Sequence, residues 1–227
     1  MEKIILSLGG SVVNPGELNI GLIKKLSKIL IKSKQKYGIV VGGGWLARKM
    51  VLEGKKLSTN QDYLDDLGIN STRVNAQAVL GYFIEKKQKV YPKICLTVEE
   101  AEKKLKKYNF VFMGGTAPGH TTDYVAVKLA EKCKAKKVVN ISNVDGIYTA
   151  DPKYDKTATK IPEMSLNDLY KMMIKEKFKP GQNLIFDQKA TVLAKRNKTE
   201  LHFIGSINMG DIIKIIKGKK HGGTTVK

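Results

Sequence analysis

The segment Tyr37–Glu53, YGIVVGGGWLARKMVLE, decides the fold because it joins an apolar strand to a helix through three consecutive glycines. Two other glycine-rich segments follow apolar runs in the same way. Gly9-Gly10-Ser11 follows Lys3–Leu8, and Gly114–Thr122 follows Phe110–Met113. Apolar, β-branched runs of four to eight residues are typical of buried strands. Strands that alternate with helices predict a largely parallel sheet covered on both faces.

The rest of the chain continues this alternation, and we predict one α/β domain over residues 1–227, a three-layer α/β/α sandwich around a largely parallel central sheet. The further predicted strands are Val90–Leu96, Lys137–Ser142 and Leu201–Ile204, and the predicted helices are Leu18–Lys36, Trp45–Glu53, Tyr63–Lys87, Val98–Lys107, Asp123–Lys134, Leu166–Ile174, Lys189–Arg196 and Asp211–Lys217. Asp145–Lys160 is polar and rich in turn residues, with Asp145-Gly146 as a possible hairpin turn. It reads as an excursion from the sheet or as a weak subdomain boundary.

The charge of the chain is strongly positive, with 41 Lys and Arg against 21 Asp and Glu, or +20. Such a balance attracts polyanions, so the charge is compatible with a nucleic-acid-binding surface and with strongly anionic small substrates. The lysines lie mostly in helical stretches and are not interleaved with aromatic residues. This distribution favours lysine-rich solvated helix faces, with no specific nucleic-acid partner.

The cysteines and the start of the chain indicate where the protein works. Cys95 and Cys133 lie in separate apolar stretches without a CxxC motif, which predicts two reduced core thiols and no metal site. The apolar start Met1–Leu8 is too short for a signal peptide, and no segment approaches the length of a membrane helix. We therefore predict a cytoplasmic protein with no membrane partner.

The glycine loops predict phosphate binding. Loops at the carboxyl ends of parallel strands gather on one edge of the sheet, where ligands bind. Glycine lets a phosphate approach the backbone, and N–H groups at a helix start favour negative charge. A rival interpretation is a dinucleotide fingerprint, Gly42-x-Gly44-x-x-Ala47 with later acids at Asp62, Asp65 and Asp66, which would indicate a nicotinamide or flavin enzyme. That motif usually follows the first strand, whereas here it follows the second. A Walker A motif is absent from the sequence, so the chain is not a P-loop kinase.

Four motifs in order carry a resemblance to a known family. They are Gly42–Arg48, Asp65–Ile69, Gly114–Asp123 and Asn143–Pro152, the last being the most specific. Together they resemble the UMP kinases of the amino-acid-kinase superfamily in their archaeal form, from Ile4 to Thr225. The resemblance implies the amino-acid-kinase fold, ATP and UMP as ligands, Mg²⁺ bound with ATP, and a homo-oligomer, a hexamer.

The resemblance also implies binding residues, with the acceptor mainly in the N-terminal half and ATP mainly in the C-terminal half. The implied ATP-binding residues are Ser7, Leu8, Gly9, Gly10, Ser11, Gly44, Arg48, Ser142, Asn143, Tyr148 and Asp151. The implied UMP-binding residues are Gly43, Asp65, Thr116, Ala117, Pro118, Gly119, His120, Thr121 and Thr122. No residue is assigned as catalytic.

The sequence departs from the superfamily at two cationic positions. A first-strand lysine that often reaches the transferred phosphate is replaced by Ser7. A later lysine aligns with Val192, and a proline before it is replaced by Gln188. Lys189 and Lys195 are the candidates to substitute.

The mechanism implied for such a kinase needs no strong general base, because a phosphate monoester is already anionic near neutral pH. It needs donors, cations and Mg²⁺ that align two mutually repelling anions. His120 is expected to be a hydrogen-bond donor, His202 a strand residue and His221 a solvated tail residue. The alternatives are another kinase of the superfamily that acts on a carboxylate or phosphate substrate, and a nucleotide sensor or basic nucleic-acid-binding protein on the same fold.

Overall fold

Apolar runs of the sequence form the central strands of the fold in the computed structural model, which describes residues 1–152, 154–175 and 186–227. The strands are β1 Lys3–Leu8, β2 Lys36–Val41, β3 Val90–Cys95, β4 Phe110–Met113, β5 Lys137–Ser142, β6 Ile147–Tyr148, β7 Lys160–Ile161, β8 Glu163–Met164, β9 Glu200–Gly205 and β10 Thr224–Val226. The helices are α1 Gly10–Val13, α2 Ile20–Ser33, α3 Gly44–Gly54, α4 Gln61–Glu85, α5 Val98–Lys107, α6 Thr122–Cys133, α7 Leu166–Lys175, α8 Gln188–Asn197 and α9 Gly210–Ile216.

The described residues form one eight-stranded sheet in the order β3-β4-β2-β1-β5-β9-β10-β8. Neighbouring strands are parallel except for the antiparallel pair β9 and β10. The registers are regular at the centre, where Leu6 of β1 lies between Ile39 of β2 and Val139 of β5. The predicted three-layer α/β/α fold with a largely parallel sheet is confirmed.

Each face of the sheet buries its own apolar core, which explains why the central strands are apolar without alternation. Ile5 and Val40 face a core shared with α5, α6, α7 and α8. Ile4 and Leu6 face the other core, shared with α1, α2, α4 and α9. Cys95 and Cys133 are buried and free, as predicted, and burial raises the pKa of their thiols to about 12 and about 11.

Lysines at the starts of two strands bind helix ends at the amino edge of the sheet. Lys3 Nζ donates to the Cys133 carbonyl at the end of α6 over 3.1 Å. Lys36 Nζ donates to the Leu105 and Lys106 carbonyls at the end of α5 over 2.9 and 2.7 Å. Cations at helix carboxyl ends compensate the helix dipole. Part of the positive charge therefore stabilises the fold.

The segment after β5 corrects one prediction. Asp145-Gly146 is not a hairpin turn, because β6 pairs antiparallel with β7 and the connection between them spans residues 149–159. These two strands form a small separate sheet, tied to β10 by the Ile147 N–H that donates to Thr224 Oγ1 over 2.8 Å. The segment therefore lies outside the eight-stranded sheet. None of the described helices has the length and apolarity to span a bilayer.

Candidate active site

Four adjacent parallel strands bring the predicted phosphate loops to one edge of the sheet. In the order β4-β2-β1-β5, the strands end side by side at Met113, Val41, Leu8 and Ser142. A glycine-rich loop follows each of the first three strands, and the segment 142–151 follows β5. Residues predicted from both halves of the sequence therefore lie along one edge.

The first two glycine loops pack backbone against backbone. A Cβ at Gly10 would lie 2.0 Å from the Gly44 nitrogen, and a Cβ at Gly44 would lie 2.2 Å from the Gly10 oxygen. Gly44 also has a φ of +58°, in the left-handed region that glycine adopts without strain. Both positions therefore require glycine for the contact between the loops, and their contact with phosphate stays a prediction.

Helix α4 fixes the second loop through a buried amide that the sequence analysis missed. Asn75 Nδ2 donates to the Gly42 and Gly43 carbonyls over 3.0 and 2.9 Å. Asn75 Oδ1 in turn accepts from Asn14 Nδ2 over 3.1 Å. The amides satisfy carbonyls that a tight glycine turn leaves without a strand partner.

The third loop is fixed by the same helix, one turn earlier. Thr72 Oγ1 accepts the Gly115 N–H over 2.6 Å. A Cβ at Gly114 would lie 2.2 Å from that hydroxyl oxygen. The sequence signal for Thr72 and Asn75 is the polar pair at a spacing of three residues inside an otherwise core-facing helix. It identifies the residues but not their partners, which lie more than 30 positions away.

Asp65 contacts the predicted acceptor loop. Its Oδ2 accepts the Gly119 N–H over 3.0 Å, and its Oδ1 accepts from Gln61 Nε2 over 2.7 Å. Lys189 Nζ donates to the Gly119 carbonyl over 3.4 Å from the start of α8. The predicted UMP-binding residues Asp65 and 116–122 therefore lie together, and the tip of the loop at 118–121 is exposed.

The acceptor loop ends at the amino end of α6. Thr121 caps this helix, since its hydroxyl oxygen accepts the Tyr124 N–H over 3.1 Å. The His120 ring packs on the Tyr124 ring with centroids 4.6 Å apart. The helix starts at Thr122, so its free N–H groups and the two threonine hydroxyls give the loop a partial positive charge that suits an anion.

Asp123 is a carboxylate at the centre of this edge that the sequence analysis did not assign. Its Oδ1 accepts from Ser7 Oγ over 2.7 Å and from Asn140 Nδ2 over 2.9 Å. Burial raises the pKa of Asp123 to about 6, and the nearby Asp187 carboxylate also raises it, whereas the two hydrogen bonds lower it. The Ser7 hydroxyl is therefore occupied by Asp123 in this structure.

The predicted ATP-binding residues form two groups, and the first group lies around the first glycine loop. Arg48 Nη1 lies 3.4 Å from Ser11 Oγ, and the Gly9 N–H donates to the Ile141 carbonyl over 2.8 Å, so the first loop touches both α3 and β5. The side chain of Leu8 is buried in the core, which leaves its backbone for any contact with ATP. Asn143 is exposed beside Ser142.

The second group lies along β6. Tyr148 donates its hydroxyl to Asp145 Oδ1 over 2.7 Å, and Lys160 Nζ lies 2.8 Å from Asp145 Oδ2. Hydrogen bonds from Lys160 and then Tyr148 hold the pKa of Asp145 below its ordinary value. The Asp151 carbonyl accepts the Tyr154 and Asp155 N–H groups in the turn that follows.

The three remaining sequence predictions have mixed outcomes. His202 lies in β9, as predicted. The prediction for His221 is wrong, because His221 is partly buried and its Nε2 lies 3.0 Å from His202 Nδ1 and 2.9 Å from Thr225 Oγ1. Of the two candidate lysines, Lys195 lies over the Tyr170 ring at 5.3 Å, and only Lys189 contacts a predicted ligand loop among the described contacts.

Comparison with known proteins agrees along the whole chain. The amino acid kinase family matches residues 2–205. The uridylate kinase of Thermococcus kodakarensis is 34% identical over 227 residues and that of Pyrococcus abyssi 36% identical over 227 residues, each alignment covering 99% of both proteins. The crystal structure of the uridylate kinase from Archaeoglobus fulgidus superposes with a TM-score of 0.86 at 34% identity and covers 100% of both chains.

A more distant structure shows the same fold. The UMP kinase from Bacillus anthracis superposes with a TM-score of 0.82 at 21% identity, covering 100% of this chain and 96% of the other. With a family match over residues 2–205 and full-length relatives above 30% identity, the chain belongs to the amino acid kinase family and, within it, to the uridylate kinases.

Proposed function

We propose that the chain transfers the γ-phosphoryl group of ATP to UMP, giving ADP and UDP. The observation that carries the proposal is the edge where three glycine loops meet, with Asp65 hydrogen-bonded to the third loop. This edge offers N–H donors and helix starts to phosphates, and a carboxylate to a sugar. The full-length relatives named uridylate kinases support UMP as the acceptor.

The two ligands divide along this edge. The acceptor binds at Gly43, Asp65 and the loop 116–122, with Asp65 on the ribose or uracil and the threonines on the phosphate. ATP binds at the first loop, at Gly44 and Arg48, and at the segment 142–151. Both sets belong to one amino-acid-kinase-type domain over residues 1–227.

The reaction needs alignment and charge stabilisation, and no strong base. A phosphate oxygen of UMP attacks the γ-phosphorus of ATP, and ADP leaves with the electron pair of the broken P–O bond. The second pKa of a phosphate monoester is about 6, so the attacking oxygen is already anionic near neutral pH. The glycine N–H groups and the start of α6 hold the anions in line, and this positioning provides most of the catalysis.

Mg²⁺ fits this edge as an ion carried by the nucleotide. No cluster of three or more His, Cys, Asp or Glu side chains that could form a protein cage occurs among the residues that the structure describes. Mg²⁺ usually binds substrate phosphates together with one or two carboxylates and waters. Asp123 is the carboxylate that would hold it here, because it lies beside the first and third loops. When bound, the ion neutralises charge on the β- and γ-phosphates.

The chain also fits a homo-oligomer in the cytoplasm, a hexamer as in the family it resembles. Helix α3 exposes Trp45, Met50 and Leu52, and α4 exposes Val74, although they are large and apolar. Such a surface suits contact with a second copy of the chain. The two buried free thiols suit a reducing compartment. Sedimentation velocity would give the assembly size directly, and a monomer would contradict the oligomer.

The test of the function is ADP release from Mg-ATP with each acceptor class. We expect ADP formation that depends on UMP and is absent with carbamate, acetylglutamate or aspartate. If one of these acceptors were phosphorylated and UMP were not, the amino acid kinase family would still be the right family, but the proposed substrate would be wrong. Tight binding of ATP and UMP without turnover would indicate a sensor, and tight binding of NADH without ATP binding would favour the dinucleotide enzyme.

A further inference from the structure

Tyr148, one of the residues proposed to bind ATP, lies on the small sheet of β6 and β7. In the antiparallel pairing Tyr148 is directly opposite Lys160, so the two side chains project from the same face of the ribbon. The preceding residue of β6, Ile147, is fully buried on the other face. Tyr148 itself is only partly buried, so a ligand can reach its ring.

A single carboxylate joins Tyr148 to Lys160. Asp145, in the connection between β5 and β6, accepts the Tyr148 hydroxyl on Oδ1 over 2.7 Å and binds Lys160 Nζ on Oδ2 over 2.8 Å. The stem of Lys160 reaches Asp145 across Gly146, where a Cβ would lie 2.9 Å from Lys160 Cδ. The hydroxyl of Tyr148 is therefore occupied within the protein, which leaves its ring as the surface for ATP.

The three side chains have the charges that their hydrogen bonds require near neutral pH. The hydrogen bonds from Lys160 and then Tyr148 lower the pKa of Asp145. The hydrogen bond to Asp145 raises the pKa of Lys160, and the one from the Tyr148 hydroxyl raises the pKa of Tyr148. The lysine and the carboxylate are therefore charged and the phenol is protonated. Hydrogen bonds to charged groups are stronger than those between neutral groups.

The backbone of β6 is held without help from Lys160. Thr224 of β10 is fully buried, and its Oγ1 accepts the Ile147 N–H over 2.8 Å and donates to the Ile161 carbonyl of β7 over 2.5 Å. This hydroxyl ties both strands of the small sheet to the main sheet. Without Lys160 the strands should stay in place, whereas the Asp145 side chain, which is 38% exposed, is free to turn to water and release the Tyr148 hydroxyl.

We propose that Lys160 is a positioning residue for ATP, which acts through Asp145 to hold the Tyr148 ring in the orientation that contacts the nucleoside of ATP. The inference rests on the proposed function, in which Tyr148 belongs to the ATP side. Lys160 itself makes no bond to either substrate in this arrangement. It lowers the cost of binding, because a ring that is already ordered loses little freedom when ATP binds.

The matched control is Lys128 of α6. Its side chain is 31% exposed, the same fraction as that of Lys160, and it also forms a short ion pair, with Glu131 at 2.6 Å. Neither Lys128 nor Glu131 belongs to a predicted ligand set. A general effect of removing a paired lysine would therefore appear at both positions, whereas an effect on ATP binding would appear at Lys160 alone.

The experiment measures steady-state kinetics with ATP and UMP each varied. We expect Lys160→Met to raise the KM for ATP by about threefold to tenfold, the usual cost of ordering one side chain on binding. The KM for UMP and kcat should stay within about twofold. Lys160→Arg keeps the charge and should retain most of the affinity for ATP, and Lys128→Met should leave both KM values unchanged.

Two further measurements show whether Lys160 acts through Tyr148. Tyr148→Phe removes the hydroxyl that binds Asp145 and should also raise the KM for ATP. The double variant Lys160→Met/Tyr148→Phe should be no weaker than the weaker single variant, because both changes break the same network. Calorimetric titration of Mg-ATP without UMP should give a ratio of Kd values, for Lys160→Met against the wild type, that matches the ratio of KM values.

Three results would overturn the inference. They are an unchanged affinity for ATP in Lys160→Met, an equal rise of both KM values, as a general structural defect would give, and losses that multiply in the double variant. Failure of the proposed function is a separate result. A wild type that binds Mg-ATP but releases no ADP in response to UMP would refute the UMP kinase activity, and the calorimetric comparison would still decide the role of Lys160. A wild type that does not bind ATP would overturn both.

Discussion

Asp65 is a carboxylate that can distinguish the sugar of a nucleotide from its phosphate. Its two oxygens accept from Gln61 and from the Gly119 N–H, so it holds the acceptor loop in place before any ligand enters. A carboxylate also accepts strong hydrogen bonds from sugar hydroxyls, whereas it repels phosphate. We therefore propose that the nucleoside of UMP lies at Asp65 and its phosphate farther along the loop, at the start of α6.

The variant Asp65→Ala tests this placement. We expect the KM for UMP to rise by about tenfold or more, because a charge-assisted hydrogen bond contributes about 1.5–3 kcal/mol. The KM for ATP should stay nearly unchanged, since no described ATP residue contacts Asp65. Asp66→Ala, one residue along on the exposed side of α4, serves as the control. A weakened ATP interaction with normal UMP kinetics would show that the two pockets are reversed.

His202 is a buried histidine that makes the stability of the fold depend on pH. Burial, together with the smaller effects of the nearby His221 and Lys137, lowers its pKa to about 3. The ordinary value of about 6.5 applies in the unfolded chain. Because the folded state disfavours the charged form, the stability that is present above pH 6.5 is lost as the pH falls toward 3.

Urea unfolding at pH 7 and pH 5 measures this effect. Over the 1.5 pH units below 6.5, the loss assigned to His202 amounts to about 2 kcal/mol of unfolding free energy. His202→Gln should lose less stability than the wild type between the two pH values, by about that amount. Equal losses in the wild type and in His202→Gln would contradict the assignment.

Individual site residues differ in how far the sequence could predict them. Asp65 and the loop 116–122 were placed by their motifs, and the structure brings them into contact. Thr72 and Asn75 were not predicted, because their partners are backbone groups of loops 32 to 43 positions away. His221 was misplaced for the same reason, since only the pairing of β9 with β10 brings it to His202.

Four helices are followed by a lysine at a position where glycine is the common residue. Lysines lie just past the ends of α2, α4, α6 and α8 with φ between 50° and 58°, in the left-handed region where glycine is the common choice. They are Lys34, Lys87, Lys134 and Lys198. A side chain in this conformation costs free energy that glycine avoids. The lysines therefore add charge at some cost to stability.

Lys198→Gly at the end of α8 should raise the unfolding free energy by about 0.5–1 kcal/mol. The side chain is exposed, so little packing is lost. Lys103→Gly, inside α5 on its exposed side, is the matched control and should lower stability by about 1 kcal/mol. Urea unfolding midpoints check both. A destabilised Lys198→Gly would show that the lysine makes a contribution that outweighs its backbone strain.

Elements were predicted in proportion to their length and apolarity. The long central strands β1, β2 and β5 were found because six mostly apolar residues are buried on both faces. The strands β8 and β10 were missed, because they have two and three residues and contain Glu163 and Thr224, which pair only after the chain folds. The helix α1 has only four residues, so the sequence indicates it only as part of the first loop.

The positive charge is a property of the whole molecule. Strand-start lysines bind helix carbonyls at the amino edge, and others pair with acids on the helices, as Lys128 does with Glu131 at 2.6 Å. These lysines bind partners within the protein, which the lysines of a nucleic-acid-binding face would not need. The charge therefore supports the fold and the solvated surface.

Duplex DNA should therefore bind only weakly. We expect a dissociation constant of about 10⁻⁶ M or weaker at physiological salt, with a steep loss of affinity between about 50 and 200 mM salt. Fluorescence anisotropy of a short labelled duplex across this range gives both quantities. Binding that is tight and insensitive to salt would show that the charge has a nucleic-acid partner.

The most direct test of UMP kinase activity is a ³¹P NMR experiment in one tube with Mg-ATP and equal amounts of UMP, CMP and AMP. We expect the γ-phosphoryl signal of ATP to fall while UDP forms first and fastest. Formation of CDP at the rate of UDP, or loss of ATP without any UDP, would contradict this expectation.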